Sequence, residues 1–498
     1  MRLVIVSNRL PITLSDAKNS KGKRSVGGLA TGIHSYLEKI KNGETKFTDY
    51  RWLGWPGCEI GAGEKTKIRN EFLSNYKYDP VFLEKELIKG FYDEFCNQII
   101  WPLFHGFPNF IEDNNSNAWD IYVKANMVFY ESLRQTLADG DVVWIHDYHL
   151  MLLPALIRRD YPKIKITYFL HIPFPDLNSF KRLPNNQRIK ILEGISGADL
   201  IGFHTNEYAK NFFKNVKEIL QLDCIDNKIL LPDRKSEVGV FPMGIDYNGI
   251  KAITQTDKCV NLKGKSMAQN DNKKIILSVD RLDYTKGILN RLKGFNNFLD
   301  QFPEWKEKVV LKLIVAPSRR DIPAYKEIKN EIDKWVGNIN GTYSTNTWIP
   351  VVYWYKQIDI YEICALYKTS DIALVTPLKD GMNLIAKEYL AANNLDKGAL
   401  VLSEFAGASD ELKGAISINP YNVDEITLAI HQALTFSKDE LLTRNRKMHD
   451  RLQSYNVVQW AKDIFDALLI KEEERQLEAL SFDILVRKIN QYKSGYDM

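Results

Sequence analysis

The chain has 498 residues, 45% of them hydrophobic, which is too long for one core of roughly 250–300 residues and apolar enough for two. Its 67 basic and 63 acidic residues leave a formal charge of +4, without the one-sided basic excess of a nucleic-acid binder. The five cysteines, at 58, 96, 224, 259 and 364, are odd in number and include no CxxC pair, so they suggest neither a disulfide framework nor a zinc cluster and fit a reducing, intracellular compartment.

The N-terminal apolar run, Leu3 to Val6, is too short for a signal-peptide core. No stretch of about 18 apolar residues occurs, so no transmembrane helix is expected. In chain order, β-rich runs fall at Leu3–Ser7, Val142–His146, Ile166–His171, Leu200–His204, Ile275–Val279, Leu311–Ala316, Val351–Tyr355, Ile372–Thr376 and Ala399–Ser403. Several are nearly continuous apolar runs, as parallel strands buried on both faces require. Helical patterns between them predict doubly wound α/β units.

The pattern pauses over the polar stretch Asp257–Lys274 and restarts with the strand IILSV. A boundary just before the pause, around Phe241–Asp246, gives two Rossmann-like domains, 1–245 and 246–456, facing a central cleft. Residues 457–470 read as an amphipathic helix packing back on the N-terminal domain. A highly charged tail runs on to residue 498, helical at first and then frayed.

In open α/β sheets, ligands bind beyond the carboxyl ends of strands, and polar residues cluster there. Ser7-Asn8-Arg9 ends the first strand. Gly27 and Gly28 can bring backbone N–H groups against a phosphate or sugar. Tyr92, Trp101 and Arg319 could grip a sugar phosphate, although each aromatic alone is more often a core residue.

The turn after Val142–His146 puts three metal-ligand types, His146, Asp147 and His149, within four residues. So tight a turn rarely aims all three at one ion, and a sugar-binding or cleft-lining role for Asp147 is expected instead. His171 ends a strand in FLHIPFP, where it can donate to a sugar hydroxyl.

SVDRLDYTKG places Arg281 and Lys286 in a strand-end loop, where two cations can hold a diphosphate. The competing reading is a solvated loop, and Lys286 is expected to carry little packing. In TPLKDGMNLIAKEYLAA, Asp380-Gly381-Met382-Asn383 forms a tight turn before a helix whose N-terminus suits phosphate. Glu388, one turn inside that helix, can accept from ribose hydroxyls. Otherwise Lys387 and Glu388 are an exposed helix face.

SNRLP, GGLATG, WLGWPG, WPLFH, WIHDYHL, FLHIPFP, SVDRLDYTKG, APSRRD, TPLKDGMNLIAKEY and LSEFAGAS occur in this order. Over residues 1 to about 470, the chain resembles the retaining glycosyltransferases of the trehalose-6-phosphate synthase family, glycosyltransferase family 20. The resemblance implies an α/β GT-B fold, a UDP-glucose donor held by the C-terminal domain and a glucose-6-phosphate acceptor on the N-terminal domain; a cytoplasmic location is expected from the cysteine usage.

It implies that Arg281 and Lys286 bind the donor diphosphate. Asp380 and His171 would contact the transferred glucose, beside the backbone of Gly381, Met382, Asn383 and Leu384. Glu388 would hold the ribose. Arg9, Tyr92, Trp101 and Arg319 would bind the acceptor phosphate and Asp147 an acceptor hydroxyl, under a mobile loop containing Gly27 and Gly28. No metal or other cofactor is implied, nor any nucleic-acid or membrane partner. Front-face transfer with retention is the family's expected chemistry.

Ile358 stands where relatives often carry an aromatic beside the nucleotide base, which leaves UDP against GDP or ADP open. Some relatives are fused to a phosphatase. No DxDxT-type segment occurs here, so no phosphatase activity is expected. A separate trehalose-6-phosphate phosphatase as pathway partner and a homo-oligomer stay open. The competing functions are transfer to another phosphorylated acceptor such as glycerol-3-phosphate, cyclitol coupling without a glycosidic bond, and a non-catalytic sugar-phosphate sensor.

Overall fold

Nearly continuous apolar runs become the strands they predict. The computed structural model describes residues 1–14, 23–24, 28–111, 117–270 and 272–469. The first sheet is built on β1 (Arg2–Arg9), β2 (Asp49–Trp55), β3 (Tyr78–Pro80), β4 (Val142–His146), β5 (Lys165–Phe169), β6 (Leu200–Phe203) and β7 (Lys235–Val240). These pair in parallel in the order β3-β2-β1-β4-β5-β6-β7, with an antiparallel hairpin beyond β7.

The second sheet is built on β8 (Lys274–Arg281), β9 (Val309–Ala316), β10 (Val351–Trp354), β11 (Ile372–Val375), β12 (Ala399–Ser403) and β13 (Ile416–Ile418). Its order is β10-β9-β8-β11-β12-β13, all parallel. Both sheets thus reverse direction after their own first strand. Two topological switch points result, β1/β4 and β8/β11, and crevices at such points are where doubly wound sheets bind ligands.

The second switch point is opened by a buried cation. Pairing between β8 and β11 covers only Ile276↔Ile372 and Leu277↔Ala373. Beyond it the guanidinium of Arg291, 0% exposed, donates to Ser278 Oγ and to Asp280 Oδ2 (2.8 Å) on one strand and to Thr376 Oγ1 (3.1 Å) after the other. Its fourth bond goes to the carbonyl of Lys286 at 3.1 Å, which ties the following loop to the gap.

Three expectations need correction. The strands β2, β3, β7 and β13 lie outside the named runs; in β2, DYRWLGW, charged residues break the apolar run, yet its buried positions are continuous from Trp52 to Trp55. The Asp257–Asn270 stretch is not a break in regular structure but a helix. Its apolar residues are few but helically spaced: Cys259 is buried, and Leu262 packs against the second unit's core.

Lys387 does not lie on an exposed face. It is 1% exposed, donates to the carbonyl of Met243 at 2.8 Å, and is ion-paired with Glu411. Its place opposite Arg451-bound Glu411 could not be read from one helix.

Residues 457–469 form a helix. Val457, Trp460, Ile464 and Phe465 join Leu3, Ile5, Tyr36 and Trp144 in one buried cluster on the first sheet. Segment 241–246 links β7 to the helix Tyr247–Ile253 at the start of the second unit. The tail and Gly27 lie outside the described residues. No helix among the described residues is long and apolar enough to cross a membrane.

Candidate active site

Arg9, Tyr92, Trp101, Asp147, His171, Arg281, Lys286, Arg319 and Asp380 stand near where the two switch points face each other, while Ile358 and Glu388 pack within the second unit. At the end of β1 the register with β2 shifts between Val6 and Arg9. Trp52 Nε1 donates to Ser7 Oγ at 2.8 Å across this irregularity. Arg9 then turns outward, its guanidinium 4.7 Å from the Trp55 ring centroid and 5.1 Å from that of Tyr92. Tyr92 stacks on His149 with centroids 5.7 Å apart. Buried His149 has no hydrogen-bond partner for either ring nitrogen. Burial, then Arg319 and Arg9, hold its pKa well below the usual imidazole range, so it is a neutral group between two cations.

Trp101 is 6% exposed and lies under two cations of the second unit, 4.1 Å from Arg319 and 5.4 Å from Arg281. Its indole N–H is buried and unpartnered. Tyr92 and Trp101 are therefore packed aromatics that carry cations on their faces. Arg319 reaches across to Tyr148 OH (3.3 Å), donates to Tyr325 OH, and has Asp283 at 3.8 Å. Asp283 also lies 3.6 Å from Arg281 and caps the following turn through Thr285 N. Asp283 is fully buried; its carboxyl stays below the usual range because Arg319, Arg281 and Lys286 outweigh the burial.

Lys286 is not a solvated loop residue. It is 7% exposed, and its Nζ lies 2.6 Å from Asp380 Oδ2. Burial opposes Asp380's charge, but Lys286 outweighs it and holds that carboxyl below its usual value. Arg281, by contrast, leaves 48% of its side chain exposed.

The turn 380–383 forms as expected. Asn383 caps the Leu384–Ala392 helix by accepting from Ala386 N (3.2 Å), while its Nδ2 donates to Asp380 Oδ2 (3.1 Å). Met382 is buried in the second unit's apolar cluster, against which Ile358 and Leu384 pack. A Cβ on Gly381 would collide with the carbonyl oxygen of His171, and one on Gly28 with Leu384, so both glycines permit contact between the units. Glu388 accepts from Tyr367 OH at 3.3 Å; burial pushes its carboxyl up to about 7.

The three ligand types of the β4 turn diverge. His146 turns to His171, His149 to Tyr92, and Asp147 Oδ1 accepts the His171 backbone N–H at 3.3 Å. Among the described residues no three His, Cys, Asp or Glu side chains are grouped to hold an ion. Burial raises the Asp147 carboxyl to about 7, against the backbone N–H groups of Tyr148 and His171. Asp147, Arg319 and Asn383 hold positive φ angles of 74°, 46° and 73°. Such strain, of order 1–3 kcal/mol each, gathers at functional sites.

Residues 1–469 match glycosyltransferase family 20. The chain belongs to that family. It is 40% identical over 494 residues to the bifunctional trehalose-6-phosphate synthase/phosphatase of Thermoproteus tenax, covering 97% of this chain and 67% of that protein. Its fold is similar to a UDP-forming alpha,alpha-trehalose-phosphate synthase from Burkholderia xenovorans in complex with glucose-6-phosphate, with TM-score 0.84, 30% identity, and 94% of this chain and 100% of that one covered. It is also similar to an E. coli trehalose-6-phosphate structure bound with UDP-2-fluoro glucose, with TM-score 0.82, 30% identity, and 94% and 99% covered.

This family 20 glycosyltransferase has the GT-B fold, two doubly wound units face to face. Asp283, Arg291, Tyr325 and Tyr208 also belong to this arrangement. Asp283 was visible in SVDRLDYTKG but was given no role. Tyr208, whose hydroxyl donates to the Asp380 carbonyl at 3.0 Å from the opposite unit, carried no signal at all.

Proposed function

We propose that the cleft transfers glucose from UDP-glucose to glucose-6-phosphate with retention, releasing UDP and trehalose-6-phosphate. The observation that carries this reading is the bridge of cations and aromatics across the two switch points. Arg319 lies on Trp101 and Tyr148 of the opposite unit, with Arg281 above the same indole. Two anions brought to the two sides of this bridge are held with their reacting ends together, which replaces an encounter by a positioned pair.

On the acceptor side, Arg9, Tyr92, Trp101 and Arg319 hold the sugar phosphate, and the Asp147 carboxylate accepts a sugar hydroxyl. On the donor side, Arg281 and Lys286 hold the diphosphate and Glu388 the ribose. Ile358 borders the base. Asp380 and His171 contact the transferred glucose beside the Gly381–Leu384 backbone, with Gly28 against Leu384 at its edge.

The difficult step is departure of UDP, when charge grows on its outer phosphate. Lys286, Arg281 and the N-terminus of the Leu384–Ala392 helix face that charge and stabilise it more than the ground state. The departing phosphate oxygen takes the proton of the attacking hydroxyl on the same face, so no protein nucleophile is required. These fixed positive groups do the work of a metal, and we read the transfer as metal-independent and cytoplasmic.

Nucleotide release from UDP-, GDP- and ADP-glucose, with and without glucose-6-phosphate and with EDTA, tests the reading. UDP release that requires glucose-6-phosphate and survives EDTA is expected. Equal release without acceptor, preference for glycerol-3-phosphate, or loss in EDTA restored by magnesium would each defeat the corresponding part.

A further inference from the structure

We infer that His146 is a positioning residue, donating its Nδ1 proton to His171 Nε2 and so holding His171 as the Nδ1–H tautomer, a hydrogen-bond donor toward the transferred sugar. This rests on the proposed contact between His171 and the donor glucose.

His146 closes β4 and is 0% exposed. Its Nδ1 lies 3.0 Å from His171 Nε2, and the two rings are inclined by only 26°. Both imidazoles are neutral, because burial first, and a neighbouring imidazole second, drive their pKa values well down. Each ring therefore carries one proton, and the shared hydrogen bond needs one N–H and one lone pair.

Two arrangements satisfy that count. If His171 Nε2 donates, the His146 proton must sit on Nε2. If His146 Nδ1 donates, Nε2 of His146 is a bare lone pair, and the His171 proton moves to Nδ1. His146 Nε2 is buried and has no partner. An orphaned N–H there is the costlier state, since buried unpaired donors are the rarest polar defects in folded proteins. The second arrangement follows.

Its consequence reaches the reacting centre. His171 is partly exposed, and its carbonyl oxygen borders Gly381 of the donor turn. A neutral imidazole with a fixed donor at that place orients one sugar hydroxyl without adding charge. The third histidine of the cluster, His204, is committed elsewhere, with Nδ1 accepting from Met243 N at 3.3 Å.

The direct test is the 15N spectrum of ligand-free, histidine-labelled protein, which has only eight histidines, with signals assigned through His171→Asn and His146→Asn. A pyridine-type Nε2 and pyrrole-type Nδ1 on His171 are expected; the reverse overturns the inference. In kinetics, His146→Leu should lower kcat roughly tenfold, the worth of one neutral hydrogen bond, with little change in KM for UDP-glucose. His146→Asn, whose amide N–H stands near the Nδ1 position, should restore most of it. Equal losses in both variants, or none in either, also overturn it. A chain that never turns over UDP-glucose would defeat the proposed function while the spectrum still decides the tautomer. If His146→Leu does not fold, the spectrum alone decides.

Discussion

Lys286 and Asp380 are 2.6 Å apart with side chains only 9% and 14% exposed. Lys286→Ala should lower kcat about a hundred- to thousandfold, as loss of one preorganised group facing developing charge does. It should also destabilise the fold by about 3 kcal/mol, since it strands a buried carboxylate that keeps Asn383 as a donor. Steady-state kinetics and a thermal melt check both effects; normal kcat would refute the diphosphate role. Asp147 supplies a pH signature. Its carboxyl, raised to about 7, keeps in the folded state a proton that the unfolded chain gives up near 4. The folded state then binds more protons between these values, so stability falls as pH rises through that window. Asp147→Asn should gain in Tm relative to the parent from pH 5 to pH 8. KM for glucose-6-phosphate should fall in the parent as pH rises from 6 to 8 and change less in the variant; the substrate's own ionisation affects both alike. Parallel melts and parallel KM profiles would show that Asp147 does not titrate there.

The turn 380–383 and the helix it starts are one element with two neighbours. Its sequence announces the turn through Asp380-Gly381, the cap through Asn383, and the helix through LIAKEYLAA. What Gly381 is for appears only across the cleft, where the His171 carbonyl occupies the space a Cβ would take. Gly381→Ala must push the 380–383 turn off the first unit, a local overpacking of about 1–3 kcal/mol. A fall of at least about tenfold in kcat/KM for UDP-glucose is expected, with the fold retained by circular dichroism. Full activity would mean that the two elements need not touch during turnover. Arg291 makes the same point. Within ILNRLKGFNNFL it reads as one more polar helix position, yet it fills the gap between β8 and β11 at the second switch point.

Closure of the whole molecule depends on contacts between the units that flank the site. Tyr208 OH bonds the Asp380 carbonyl, and Lys379 Nζ pairs with Glu207 Oε1 at 2.7 Å, with side chains 22% and 61% exposed. So exposed a pair is worth about 0.2–1 kcal/mol. Glu207→Gln should therefore raise KM for UDP-glucose by up to about fivefold at low salt. The difference from the parent should vanish near 1 M salt, where screening acts within about 3 Å. A KM change that persists in high salt would point to a packing role instead.

The sequence by itself determined the class, the two parallel α/β sheets and where candidate site residues stand. Apolar runs dictate buried parallel strands, and Arg9, Asp147, Arg281 and the 380–383 turn stand at strand ends, where such sheets bind ligands. These are local facts, carried by composition and spacing within a few residues. The tertiary structure alone decided which groups meet. It buried Lys286 and Lys387, put Trp101 beneath Arg319, joined His146 to His171, and set Tyr208 on Asp380. Each of these contacts pairs residues from different elements, many of them from different units. Burial and charge then follow from the partner, which no single segment specifies.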